Sequence, residues 1–275
     1  MSKKKKKSLH WFIAAVIIIA LIGSTNLRSL TEKATQEVIQ EANSHADTQR
    51  MEIPQISNGR QGQIIQRTGY TLSYDDKNRT PQWVAWELTK EETRGNEERN
   101  DEFLPDPQVI GTQVVTYDYS RSGYDRGHMA PAGDMKWDRQ AMQESFYMSN
   151  ICPQDHNLNK GDWNDLEIKT REWARRFGKV YIACGPIYQK GKNIQYIGDN
   201  RVAVPHSFFK AILFYRKNKP IALGFHFQNQ PGHRPLQDYI VSIDSLEELT
   251  GMDFFSALPD EQENETESKE IFELP

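Results

Sequence analysis

Cysteine is nearly missing from this chain of 275 residues, which holds only Cys152 and Cys184. A structural zinc site built from cysteines wants four ligands at close spacing, so that class is excluded. The two thiols would pair in an oxidising compartment, and as buried free thiols they would be equally ordinary. Apolar residues are scarce as well, at 37%, and positive charge is not in excess, the formal net charge being -4. Such values would suit a disordered chain, but six tryptophans and eleven tyrosines exclude that class. A full membrane span of about 20 apolar residues is also lacking, since the run from Trp11 to Ile22 is shorter than that.

The near-neutral average hides a segregation of charge. Lys3 to Lys7 form a run of lysines, and Asp260 to Glu273 form an acidic tail. Between Lys169 and Lys219 stand twelve Lys/Arg against only Glu172 and Asp199. A stretch of that kind makes either a basic face or an ordinary solvated one. The lysine run followed by Trp11 to Ile22 reads as the basic and apolar regions of an export signal. No clean cleavage site follows, so release and tethering as a signal-anchor both stay open. The expected location is extracytoplasmic: periplasmic, secreted, or held at the membrane by residues 1–23.

Residues 24–60 are polar and read as a linker. A folded domain is expected over 61–258, followed by a disordered acidic tail over 259–275. Within the domain, β-rich runs stand at Gln63–Tyr74, Trp83–Leu88, Lys179–Ala183, Phe208–Tyr215, Ile221–Phe227 and Tyr239–Ile243. Helices are expected over Asp138–Tyr147, after Gly161 with Trp163, Leu166, Trp173 and Phe177 on one stripe, and from Ser245 with Glu248 completing a capping box. Strands and helices do not alternate, which predicts an α+β fold with a mainly antiparallel central sheet and flanking helices.

Chemistry concentrates in Tyr124-Asp125-Arg126-Gly127-His128. Gly127 permits a close backbone approach. Arg126 offers a planar fork suited to phosphate, and His128 has the side chain that titrates nearest neutrality, as a general base requires. Downstream come Asn150, Asn157, Asn159 and, on the second helix, Glu167 with Arg171 one turn later. An asparagine oxygen plus water makes an adequate Mg²⁺ shell, because Mg²⁺ retains most of its waters. Glu167 would then hold a water of that shell, or merely pair with Arg171 at the surface.

Three segments together resemble the DNA/RNA non-specific endonuclease family: Asp125 to His128, Phe146-Tyr147-Met148-Ser149-Asn150, and Asn157-Leu158-Asn159 through Glu167. The similarity extends through Cys184-Gly185-Pro186-Ile187-Tyr188 and from Pro205 to Leu213. That resemblance implies the ββα-metal fold, a hairpin and a helix around one metal. It implies His128 as general base, Asn159 as the single direct metal ligand and Glu167 as holder of a water in the metal shell. It places Arg126 and Arg171 at the scissile phosphate and Asn150 among the active-site residues. Met129 stands where several relatives carry leucine, and an upstream arginine has no clear counterpart, Arg94 and Lys90 being the candidates.

The expected activity is Mg²⁺-dependent (or Mn²⁺-dependent) hydrolysis of DNA and RNA without sequence preference, leaving 5′-phosphate ends. Binding should run through backbone phosphates and weaken with salt. Rivals are an inactive nucleic-acid-binding module of the same fold and a hydrolase of another phosphodiester. A membrane tether and a homodimer are left open.

Overall fold

The computed structural model describes residues 50–57 and 62–267, so the expected targeting segment and most of the expected linker lie outside the described residues. All described residues but Arg50 belong to one unit, Met51–Pro275. Its frame is a seven-stranded antiparallel sheet in the order β12-β11-β10-β7-β4-β3-β2. The strands are β2 (Gln63–Gln66), β3 (Thr71–Asp75), β4 (Thr80–Thr89), β7 (Lys179–Ile187), β10 (Ser207–Arg216), β11 (Lys219–Gln228) and β12 (Ile240–Val241). The central strands β7 and β10 are covered on both faces, which is why their sequences are continuous apolar runs instead of alternating ones. The run read as Gln63–Tyr74 is a hairpin: Arg67 N–H bonds back to the Tyr70 carbonyl, folding β2 onto β3.

Helix α1 (Arg139–Glu144) is capped by Asp138, whose side chain accepts from the Ala141 N–H. The short α2 (His156–Lys160) is followed at Gly161 by α3 (Asp162–Phe177). Gly161 is required there, since a Cβ would lie 2.6 Å from the Asn157 carbonyl oxygen. The apolar stripe of α3 packs on the sheet as the sequence predicts. Trp173 stacks on Phe214 at 5.8 Å and on Phe225 at 6.5 Å between centroids, and Trp163 meets Phe208 and Phe227, each at 5.6 Å. Burying each such ring contributes roughly 1.5–3 kcal/mol, which fixes the helix that carries Glu167 and Arg171.

Three boundaries differ from expectation. The third helix, α4 (Ile243–Thr250), begins earlier than Ser245, because Ser242 is the residue whose side chain accepts the Ser245 N–H. Ordered chain begins before residue 61: β1 (Gln55–Ile56) pairs with β13 (Met252–Asp253), with Met51 buried nearby in sequence. The acidic tail, expected to lack structure, carries α5 (Asp260–Glu267), where Glu and Gln favour helix and Thr266 is buried. Two further pairs lie outside the main sheet: β5 (Asp125–His128) with β6 (Ile151–Gln154), and β8 (Tyr196–Ile197) with β9 (Val202–Ala203). Cys152 on β6 and Cys184 on β7 are both buried and unbridged.

Candidate active site

The β5–β6 pair and α2 bring Asp125, Arg126 and Asn159 to one cavity, with His128 packed against Phe103 of its wall, while Glu167 and Arg171 lie on α3. Gly127 lies opposite Cys152 and leaves room for Gln154, whose Oε1 would be 2.1 Å from a Cβ at position 127. His128 stands at the end of β5. Its ring is walled by Phe103 and Phe146, with centroids 5.3 and 4.8 Å away. Its backbone carbonyl accepts the Trp163 indole N–H at 3.3 Å. Its Nε2 is inaccessible and lacks a hydrogen-bond partner. Burial, reinforced by the nearby Arg99 and Arg126 guanidinium groups, pushes the His128 ring down to about 3, so it is neutral at physiological pH.

Asn159 on α2 donates its side-chain N–H to Asp125 Oδ2 at 2.9 Å. The His156 ring lies 3.0 Å from the same oxygen. Burial pushes Asp125 up, but the Asn159 and His156 hydrogen bonds outweigh it and hold the carboxyl below its ordinary value. With its nitrogen tied down, Asn159 has its amide oxygen left for a ligand. A cavity of about 310 Å³ opens here, lined among others by Phe103, Tyr124, Asp125, Arg126 and Asn159. Arg126 is exposed and lies over the Phe103 ring at 4.4 Å.

Glu167 and Arg171 share one face of α3 but do not form an ion pair with each other, as the simplest surface reading would have it. Arg171 binds Asp134 Oδ1 at 2.8 Å, and Asp134 also accepts the Trp86 indole N–H at 3.1 Å. Burial raises Glu167 to about 7, against the opposing pull of Lys210, while Asp134 adds to the rise and Arg171 and Trp163 lower it.

Asn150 does not present its amide to the cavity. It is fully buried, donates to the carbonyls of Ala130 and Ser145, both at 2.8 Å, and accepts the Ala130 N–H at 2.9 Å. With its hydrogen-bonding capacity spent on backbone, it fixes the chain leaving β5. Arg99 lies 5.0 Å over the Phe146 ring and acts electrostatically on His128. Phe103, Arg99, Asp134 and Lys210 were not singled out in the sequence, because their partners lie tens of residues away. The charged run Arg99-Asn100-Asp101-Glu102 ending on Phe103 is the one local signal that marks any of them.

A family model described as DNA/RNA non-specific endonuclease matches residues 47–261. Human "Nuclease EXOG, mitochondrial" is 41% identical over 207 residues, a match covering 70% of this chain and 56% of that protein. Human "Endonuclease G, mitochondrial" is 36% identical over 205 residues, covering 70% of this chain and 69% of that one. A solved structure, of an EndoG/EndoGI complex, superposes with a TM-score of 0.71 at 31% identity, covering 79% of this chain and 94% of its own. The relatives are named as mitochondrial nucleases, which overturns the expectation of a periplasmic, secreted or membrane-anchored protein. A basic run before an apolar one is a targeting pattern, and composition alone does not say which membrane reads it. Among the described residues no helix is long and apolar enough to cross a membrane. The motifs, the hairpin-and-helix site and these matches agree, and the chain belongs to the DNA/RNA non-specific endonuclease family.

Proposed function

We propose that this chain is a metal-dependent endonuclease that hydrolyses DNA and RNA with little sequence preference and leaves 5′-phosphate and 3′-hydroxyl ends. The observation that carries the reading is the pairing, on one hairpin-and-helix unit, of a neutral His128 with an Asn159 whose amide oxygen is left for a ligand. The family is metal-dependent. The donor set fits Mg²⁺ through the Asn159 amide oxygen, its nitrogen being held by Asp125. An amide oxygen, with Glu167 acting through water, suits a hard cation that keeps its hydration. Mn²⁺ takes the same oxygen donors. When bound, the ion would supply Lewis-acid stabilisation of charge on the phosphate and on the leaving 3′ oxygen.

The residues do the rest. Arg126, exposed beside the cavity, and Arg171, aimed by Asp134, hold the scissile phosphate. His128 takes the proton of the attacking water. Burial is the main cause of its low proton affinity, with Arg99 and Arg126 adding to it, and a phosphate bound between them and the ring would offset the arginines' part. Phe103 and Phe146 keep the ring in one plane and exclude bulk water from its inner edge. Asn150 and Trp163 position the base through backbone contacts.

A plasmid-nicking assay with Mg²⁺ or Mn²⁺, with and without chelator, tests the reading. Metal-dependent nicking of circular plasmid and degradation of RNA are expected. Binding without cleavage would indicate an inactive module of this fold, and neither binding nor cleavage would indicate another phosphodiester as substrate.

A further inference from the structure

His156 has no part in the chemistry above, yet it shares an acceptor with the residue assigned to the metal. Its Nδ1 lies 3.1 Å from Asp125 Oδ1 and 3.0 Å from Asp125 Oδ2, while Asn159 Nδ2 lies 2.9 Å from that second oxygen. His156 opens α2 and Asn159 follows three residues later, so the two are neighbours on one side of the helix. Asp125 opens β5, the strand that carries Arg126 and His128. One carboxylate thus ties α2 to β5 at two points.

Helix α2 has five residues, too few to hold its shape unaided. Its far side is fixed by other means. Asp155 caps it, accepting the Asn157 and Leu158 N–H groups, and the Asp155 N–H is itself held by the Asn229 side chain at 2.8 Å. Leu158 is buried in the core. These contacts seat the helix, but the direction of the Asn159 amide is set by Asp125. Asn159 reaches a single oxygen of that carboxylate and leaves it able to turn about the shared contact. His156, bridging both oxygens, stops the turn. The side chains of His156 and Asp125 are 55% and 28% exposed, and pairs so open to water add little to stability. Holding the fold together therefore does not call for a histidine here.

We propose that His156 is a positioning residue of the metal site: by clamping both oxygens of Asp125 it fixes the carboxylate that turns the Asn159 amide oxygen toward the metal. This rests on the reading of Asn159 given above. The clamp requires a proton on His156 Nδ1, since a carboxylate only accepts.

The test uses the full chain as His156→Ala, His156→Asn, Asp125→Ala, Asn159→Ala and the double variant His156→Ala/Asp125→Ala. Calorimetry at a single pH gives the Mn²⁺ affinity of each in the absence of nucleic acid, and melting without metal is recorded alongside. His156→Ala is expected to lose roughly 10-fold in affinity, the low end of what support behind a metal ligand is worth. Alanine favours helix, so weakening of α2 does not account for such a loss. His156→Asn should restore affinity, because its amide nitrogen stands two bonds from Cβ, as Nδ1 does. In the Asp125→Ala background His156→Ala should add little. Unchanged affinity in His156→Ala would overturn the proposal. So would a loss of equal size without Asp125, or one that His156→Asn does not relieve; either makes His156 a brace of α2. An unchanged Mn²⁺ titration in Asn159→Ala would instead displace the metal from Asn159, and take this inference with it. If His156→Ala does not fold, nitrogen-15 NMR of the wild-type His156 ring decides: a proton on Nδ1 supports the clamp, and a ring protonated only at Nε2 contradicts it.

Discussion

Asp125 holds the side-chain nitrogen of Asn159 at 2.9 Å. A free asparagine amide can present either end to a ligand; this one is held with its oxygen outward. A donor bonded to a carboxylate is also a more basic ligand at its other end. The first residue of the hairpin motif thereby sets the orientation of a residue on α2 that lies 34 positions away.

Asn159→Ala is accordingly expected to weaken metal affinity, with activity partly restored by excess Mg²⁺. Asp125→Ala should do the same more mildly, by roughly 10–100-fold in affinity, as is usual for a partner behind a metal ligand. Calorimetric titration of Mn²⁺ into the DNA-free variants checks both, and unchanged titrations would displace the metal site from Asn159.

Glu167 predicts a link between acidity, stability and rate. Its carboxyl sits at about 7 in the folded protein against an ordinary 4.5. Between those values the folded chain keeps a proton that the unfolded chain has lost. Its contribution to stability is therefore full below the ordinary value and is lost as pH rises through 7. Glu167→Gln should melt above wild type at pH 8 and match it near pH 4, while cleaving more slowly. Melting curves at the two pH values decide, and a lower melting point at pH 8 would refute the assignment.

Gly127→Ala tests the hairpin. Its Cβ would meet Gln154 Oε1 at 2.1 Å and Gln154 Cβ at 2.7 Å, and Gln154 is fully buried. Overpacking of this kind typically costs about 1–3 kcal/mol. The urea midpoint should fall, and cleavage should fall with it because His128 follows directly in the chain.

Much of this site is legible in the sequence because its parts are local. Asp125 to His128 is a single strand, and Glu167 and Arg171 are one turn apart on a helix whose apolar stripe is plain. The long-range partners are not legible. Arg171 turns not to Glu167 but to Asp134, a partner 37 positions away that spacing along the helix does not reveal. Asn150 reads as an active-site amide but is spent on the backbone of Ala130 and Ser145. Lys210 sits within an apolar strand pattern, where nothing local shows that its ammonium lies over Trp163. At the ends, composition predicted a linker up to residue 60 and an unstructured tail. Pairing of Gln55–Ile56 with Met252–Asp253 and the turns of α5 overrode both.

The proposed hydrolysis depends most directly on His128. Its ring is neutral, walled by Phe103 and Phe146, and placed by Trp163 through the backbone, so truncation removes the base while leaving the hairpin supported. The deciding measurement is single-turnover cleavage of supercoiled plasmid in Mg²⁺ by His128→Ala and wild type, with DNA affinity measured in parallel under chelation. The predicted result is a rate lower by about 10²–10⁴-fold, the usual worth of a general base, at unchanged DNA affinity. Cleavage by His128→Ala at the wild-type rate would contradict the mechanism.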